Sequence, residues 1–349
     1  LTVGDGYATA GALISSDVFL GRNSGDVASG IYLENTNIDT GGGSLAAYGY
    51  GDDGGVERGI LAIGDLTINT GNGKIYLDAK SNNEISLIFG HHSLLSSSEV
   101  ATLSSSSDAI DAITVNSVSS NVGTGWSYGT WVEGIVNVQA TNGGGVVWTT
   151  EGVAKGINLG YSTNSGIFNI LSSSGDIILN TKNKGINIQS AGQINIGRKS
   201  STAVTTSSSN ITIIGDDFAS SGTDVFNFNT SGSVSITPQT NNSFTSLFNT
   251  SSLSYSNDIT GLTIGHSSNI EDITIGSTTT INGPIKLYGG TVSVNAPLTA
   301  TDDTISITSS TSLSDGASGY LVASGLALKG SGSVTLDNAL NDVGTIAAG

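Results

Sequence analysis

GDLTINTGNGKIYLDAKSNNEISL, residues 64–87, holds three apolar–polar–apolar triplets: Leu66-Thr67-Ile68, Ile75-Tyr76-Leu77 and Ile85-Ser86-Leu87. They are nine and ten residues apart and joined by Gly, Asn and Ser. Period-two alternation puts the two apolar residues of each triplet on one face and the middle residue on the other. The same unit returns at Ile177-Ile178-Leu179, Ile186-Asn187-Ile188 and Ile194-Asn195-Ile196. Further copies are Leu262-Thr263-Ile264, Ile273-Thr274-Ile275, Val292-Ser293-Val294 and Ile305-Ser306-Ile307. Strands this short do not make stable isolated hairpins. Hairpin proteins also favour two-residue Asn-Gly or Asp-Gly loops between longer strands. Stacking the units coaxially, each strand beside its equivalent one turn later, buries the apolar pairs in one continuous column.

That arrangement also accommodates the length. A single compact core stops growing well before 349 residues, whereas a linear stack does not. At about 20 residues and ~4.8 Å per rung, the chain would form a rod of roughly 80 Å. Residues 64–77 (GDLTINTGNGKIYL) align with 175–188 (GDIILNTKNKGINI), Asn69-Thr70 matching Asn180-Thr181. The expected fold is therefore all-β, one continuous parallel β-solenoid over residues 1–349 with inserted loops. The stretch 93–112 departs from the rhythm: Leu94, Leu95, Val100, Leu103, Ala109 and Ile110 have a loose helical spacing. It is expected as a side insertion spanning 91–115, with one short helix near 93–112 as the alternative. Irregular loops are expected near 200–210 and 239–260.

Composition narrows the function. Charged residues are 11% of the chain, 11 basic against 28 acidic, for a net charge of −17. A polyanionic surface disfavours nucleic acid and anionic lipid. With 49 Gly and only 3 Pro, the β-branched residues spread along the chain argue against disorder. There is no Cys, which excludes disulfides, thiolate catalysis and cysteine zinc sites. There is no Met either, so the chain is expected to be an internal piece of a longer product. No apolar run approaches the ~20 residues that span a bilayer, so membrane insertion is not expected.

Candidate chemistry is sparse. The histidines are His91, His92 and His266, and no nucleophile, phosphate-loop or zinc motif accompanies them. The acid pairs Asp52-Asp53, Asp216-Asp217 and Asp302-Asp303 could in principle serve glycoside chemistry. They sit in Gly- or Thr-flanked turns without adjacent bases and read as solvated turn acids. No cofactor is expected, and weak calcium binding has no motif to support it. The aromatic cluster is more suggestive. Trp126, Trp131 and Trp148 are the only tryptophans and lie close together in the chain, with Tyr128 and Tyr161 near them. Such rings stack on sugar C–H faces or serve as hot spots, or else they simply pack a wide rung.

The GDLTINT and GDIILNT rung starts, the stretch GLTIGHSSNIEDITIGSTTTINGPIKLYGGTVSVNAPL (261–298) and the closing GLALKGSGSVTLDNALNDVGTIAAG (325–349) resemble the filamentous-haemagglutinin-like large exoproteins. Those are exported by two-partner secretion or as autotransporter passengers. The opening Leu1-Thr2-Val3-Gly4 and the closing rung look like places where one such unit hands over to the next. The resemblance implies a right-handed parallel β-helix, display at the bacterial cell surface or outside the cell, and a stalk-like role in adhesion or biofilm cohesion. Implied partners are polysaccharide or a host or neighbouring cell surface, other copies of the chain, and an outer-membrane secretion partner outside this segment. The alternatives are a β-helical polysaccharide lyase or glycosidase, and a self-assembling extracellular fibre subunit.

Overall fold

A computed structural model describes residues 29–51, 58–82, 84–90, 99–120, 127–161, 164–182, 184–189, 192–197, 207–220 and 225–349, with short strands at 2–3, 7–8, 12–13 and 18–20. The described chain is all-β. Its strands form two parallel sheets, of 18 and 15 strands, and its only helical elements are the 3-10 turns Thr240–Asn242 and Thr250–Ser252. The architecture is consistent with a β-solenoid. Successive strands such as Ile75–Ser81, Leu87–Phe89 and Val100–Ser105 take three different sides of a coil, and Ile113–Ser119 then returns beside Ile75–Ser81.

The column of returning residues sets the coil lengths. On the first side Leu45 pairs with Ile75, Ile75 with Ile113, Ile113 with Val146, Val146 with Ile177 and Ile177 with Ile211. These coils are unequal, the return from Ile75 to Ile113 being the longest of the five. From Ile285 the pairing runs to Ile305, Leu326 and Ile346, and there the coils are markedly shorter and nearly uniform. The short, even rung read from the sequence therefore holds only for the last part. The longer coils carry strands of up to seven residues, such as Ile113–Ser119 and Gly134–Ala140, where the last part has triplets such as Ile273–Ile275.

A wider coil needs more to fill it. Phe89, Trp148 and Phe168 stack through the interior with ring centroids 6.2 and 4.8 Å apart. A hydroxyl thread accompanies them: Ser117 to Thr130 at 2.8 Å, Ser119 to Ser127 at 2.8 Å, and the Trp148 indole N–H donating to Thr130 Oγ1 at 3.1 Å. Each hydroxyl of this thread thus finds a partner, as burial requires. The later coils are filled by aliphatic residues, among them Ile273, Ile285, Val292, Ile305 and Leu313, all at most 1% exposed.

Corner chemistry explains the near-repeat. After Asn69, the Asn side chain accepts from Gly71 N and the buried Thr70 hydroxyl donates to Gly73 O at 2.7 Å. After Asn180, the side chain accepts from Lys182 N and Thr181 donates to Lys184 O at 2.7 Å. Asp39-Thr40 repeats the device, with Gly41 N and Gly43 O as partners. Side-chain oxygens that bond their own backbone two residues on are the standard stabilisers of such turns. The aligned stretches occupy different sides of the coil: Leu66 pairs with Ala101, whereas Ile177 pairs with Val146. The repeat therefore encodes a corner, not a rung.

Two expectations change. Residues 100–105 form a strand paired on both edges rather than a helix, with Ala101, Leu103 and Ser105 buried. Alternation in VATLSS wins over the looser 3.6 spacing, and Ser and Thr gain nothing from a helix. Residues 91–98 lie outside the described set, so the proposed insertion is described only from 99, where the chain is part of the coil. Of the expected loops, 200–206 are likewise outside it. The 239–260 region holds the two 3-10 turns and the short strands Phe248–Asn249 and Leu253–Tyr255.

On the third side an amide ladder runs along the outer wall of the coil. Asn169 donates to Asn137 (2.9 Å), Asn195 to Asn169 (2.8 Å) and Asn227 to Asn195 (2.7 Å). Asn195 is fully buried and bonded on both sides. Asn195→Ala should lower unfolding free energy by about 2 kcal/mol, because two neighbouring amides lose their partner. Denaturant titration reads this directly, and an unchanged unfolding free energy would contradict the ladder.

Candidate functional site

The second side carries an outward column of apolar residues on a surface that alternation would leave polar. Register places Tyr32 beside Leu61, Leu61 beside Ile88, Ile88 beside Trp131, and Trp131 beside Asn158. Their chain neighbours Leu87 and Phe89, and Thr130 and Val132, belong to the interior. Leu61, Ile85, Ile88 and Trp131 form a second core outside the coil, packed by Tyr32, Ile63, Tyr128 and Tyr161. Ile85 joins this outer cluster instead of sharing the inner face with Leu87, so the third triplet of the opening stretch is split across the coil wall.

The aromatic candidates separate accordingly. Tyr128 meets Trp131 edge-on at 5.0 Å, and Tyr161 meets it at 5.6 Å. Trp131 is 1% exposed, so its ring faces are covered, while Tyr128 and Tyr161 are half-buried. Trp148 lies inside the coil with no exposed surface and takes no part in this cluster. Trp126 lies outside the described residues. The structure thus brings together three of the five aromatic residues singled out from sequence, and only two tyrosines present any ring to solvent.

One group that sequence reading did not single out sits at the end of the cluster. Glu133 follows Val132 at the corner before Gly134, is 6% exposed, and has neither carboxylate oxygen in hydrogen-bond geometry with a partner. Burial holds its carboxyl above the usual range, Trp131 and Asn164 draw it partly back, and Glu99 raises it further. Burial likewise raises the Tyr128 phenol, with Tyr161 adding to it. The corner is tight: a Cβ on Gly90, whose φ is +97°, would stand 2.1 Å from Glu133 O. The backbone N–H of Glu133 donates to Phe89 O at 2.8 Å, which fixes the corner in register. The site therefore combines a ring cluster with a buried acid that favours its neutral form.

The other candidates are placed as follows. Asp52, Asp53, His91 and His92 lie outside the described residues. Asp216 is buried, not solvated, and its Oδ1 accepts from Gln239 N (2.7 Å) and Thr240 N (2.9 Å). Asp217 is ion-paired with Lys155. Asp303 accepts from Thr304 N, and Asp302 stands at φ 55° in the same bulge. His266 Nδ1 accepts from Ser268 N at 3.2 Å. Among the described residues no cluster of three or more His, Cys, Asp or Glu has a metal-binding arrangement, and no helix is long and apolar enough to cross a membrane.

Comparison with known proteins finds no matching family model, no matching curated protein and no matching solved structure.

The folded Glu133 carboxyl titrates above the ordinary glutamate value of 4.5. Its neutral form is free of penalty below that value, and stability is lost as pH rises through the folded value. Glu133→Gln removes the titration. The variant should exceed the wild type by about 1 kcal/mol at neutral pH, the two converging in acid. Paired thermal melts across pH 3.5–8 check this, and a difference independent of pH would refute it.

Proposed function

We propose that this chain is a structural and adhesive rod segment of a bacterial cell-surface or secreted exoprotein of the filamentous-haemagglutinin-like type, wound as a right-handed parallel β-helix. The observation that carries the reading is an unbroken register. From Thr2 through Phe19, Ala46, Tyr76 and Thr114 to Ala327 and Ala347, thirteen coil-to-coil pairings follow one another on the first side. At ~4.8 Å each they give a stack of roughly 62 Å, shorter than the roughly 80 Å expected from uniform short rungs. The right hand is the one that parallel crossovers adopt in about 98% of cases.

A stack of this kind resists bending because its strands are paired to the coils above and below. That suits projection of other modules from a surface. The −17 charge suits an extracellular, hydrated setting, with polysaccharide or a neighbouring cell surface as partner. The polysaccharide-cleaving alternative is disfavoured by the acids themselves, since Asp216 and Asp217 are committed to backbone and lysine contacts.

Small-angle scattering of the purified chain should give an elongated monomer with a long axis of about 60–70 Å. A compact sphere of this mass would contradict the rod, and growth with concentration would favour the fibre reading. On a glycan array, selective binding that is lost in Tyr128→Ala/Tyr161→Ala would locate adhesion at the outer cluster. Release of new reducing ends from any polysaccharide would replace the stalk with an enzyme.

A further inference from the structure

A second surface lies at the corner between the first and second sides, well apart from the outer aromatic core in residue content. A groove of about 380 Å³ crosses three successive coils there, lined by Val118, Ser119 and Ser120, then Glu151 and Val153, then Lys184. Its size is within the range of small-ligand sites, ~300–1,000 Å³. The strands that supply it are in register, Val118 pairing with Glu151 and Val146 with Ile177, so the groove runs along the stack.

Its charges are unspent. The Glu151 carboxylate and the Lys184 ammonium have no hydrogen bond or ion pair among the described residues, while nearby Lys155 is already held by Asp217. Three of the chain's 11 basic residues, Lys155, Lys182 and Lys184, gather at this corner of a protein with net charge −17. Lys182 is held in a left-handed conformation (φ 54°), with its backbone N–H bonded to the Asn180 side chain. Val153 is 40% exposed and, with Val118, gives the groove an apolar floor.

We propose that this groove binds a carboxylated saccharide of the uronic-acid class. A carboxylate of single charge pairs with Lys184, with Lys182 adding to the attraction. Sugar hydroxyls donate to Glu151 and exchange hydrogen bonds with Ser120, and the C–H face rests on Val118 and Val153. Glu151 selects among anions: its negative charge repels a dianionic phosphate, whereas a hydroxyl-bearing monoanion uses it as an acceptor. The proposal deepens the adhesive reading and rests on it, since it names the class of polysaccharide a rod of this kind would hold.

The test is calorimetric titration of the full chain with trigalacturonic acid and, separately, with neutral galactotriose. The uronate should bind and the neutral sugar should bind at least tenfold more weakly. Lys184→Ala and Glu151→Gln should each weaken uronate binding about tenfold or more, with Lys286→Ala, remote on the first side, unchanged. Circular dichroism confirms that each variant keeps its strands. Equal binding of both sugars, retention of uronate affinity in Lys184→Ala, or no uronate binding at millimolar concentration would each overturn the groove. Glycan binding that persists through Tyr128 and Tyr161 while the uronate fails would sink the groove alone. Loss of the elongated scattering profile would instead remove the reading beneath it.

Discussion

Everything in this molecule depends on one constraint: each coil must bring an apolar residue back beside its equivalent in the coil before. Parallel pairing transmits that demand from coil to coil without exception on the first side. Ile113, which stands between Ile75 and Val146, is fully buried, as are both of its partners. A one-residue slip would turn every interior side chain outward, so register is strongly held. Residues in excess of the return distance must leave the coil at corners. This is how the long coil from Ile75 to Ile113 and the short one from Ile285 to Ile305 stack in one column. Loop length carries only a slowly growing entropic cost, which makes such corners tolerant of insertion.

Corners are accordingly where the sequence becomes specific. The Asn-Thr and Asp-Thr devices at 39–40, 69–70 and 180–181 tie each turn to its own backbone. Glu133 and Gly134 take another corner, and the groove walled by Glu151 and Lys184 opens at a third. The sides, by contrast, carry repetition: the amide ladder and the stacked aliphatic pairs. Rigidity thus resides in the sides and chemistry at the edges. This division lets one architecture serve as scaffold and as contact surface.

Much of the fold was legible because the apolar pairs in Leu66-Thr67-Ile68 and Ile186-Asn187-Ile188 leave no doubt about which residues face inward. The reading fails where polar residues occupy the interior. Thr130 and Ser117 lie inside, hydrogen-bonded to each other, so alternation around Trp131 and Trp148 gives no parity from sequence alone. One tryptophan consequently packs outside the coil and the other inside, although both looked alike. Ile85 escapes the triplet rule because the chain turns the corner within its own triplet. Glu133 carried no signal at all: an isolated acid after Trp-Val reads as a surface charge until register buries it. The strand at 100–105 is hidden for a simpler reason, since serine-rich sequence obscures a period of two.

The central claim is the stack itself, and spin-label distances test it most directly. The chain has no cysteine, so labels at Thr114→Cys and Lys286→Cys would be unique. These positions lie far apart in the chain and are linked by six successive pairings, through Val147, Ile178, Thr212, Ser235 and Thr263. Six spacings of ~4.8 Å predict a narrow distribution centred at about 29 Å. A broad distribution, or one centred beyond roughly 40 Å, exceeds what six stacked coils span and would contradict the account.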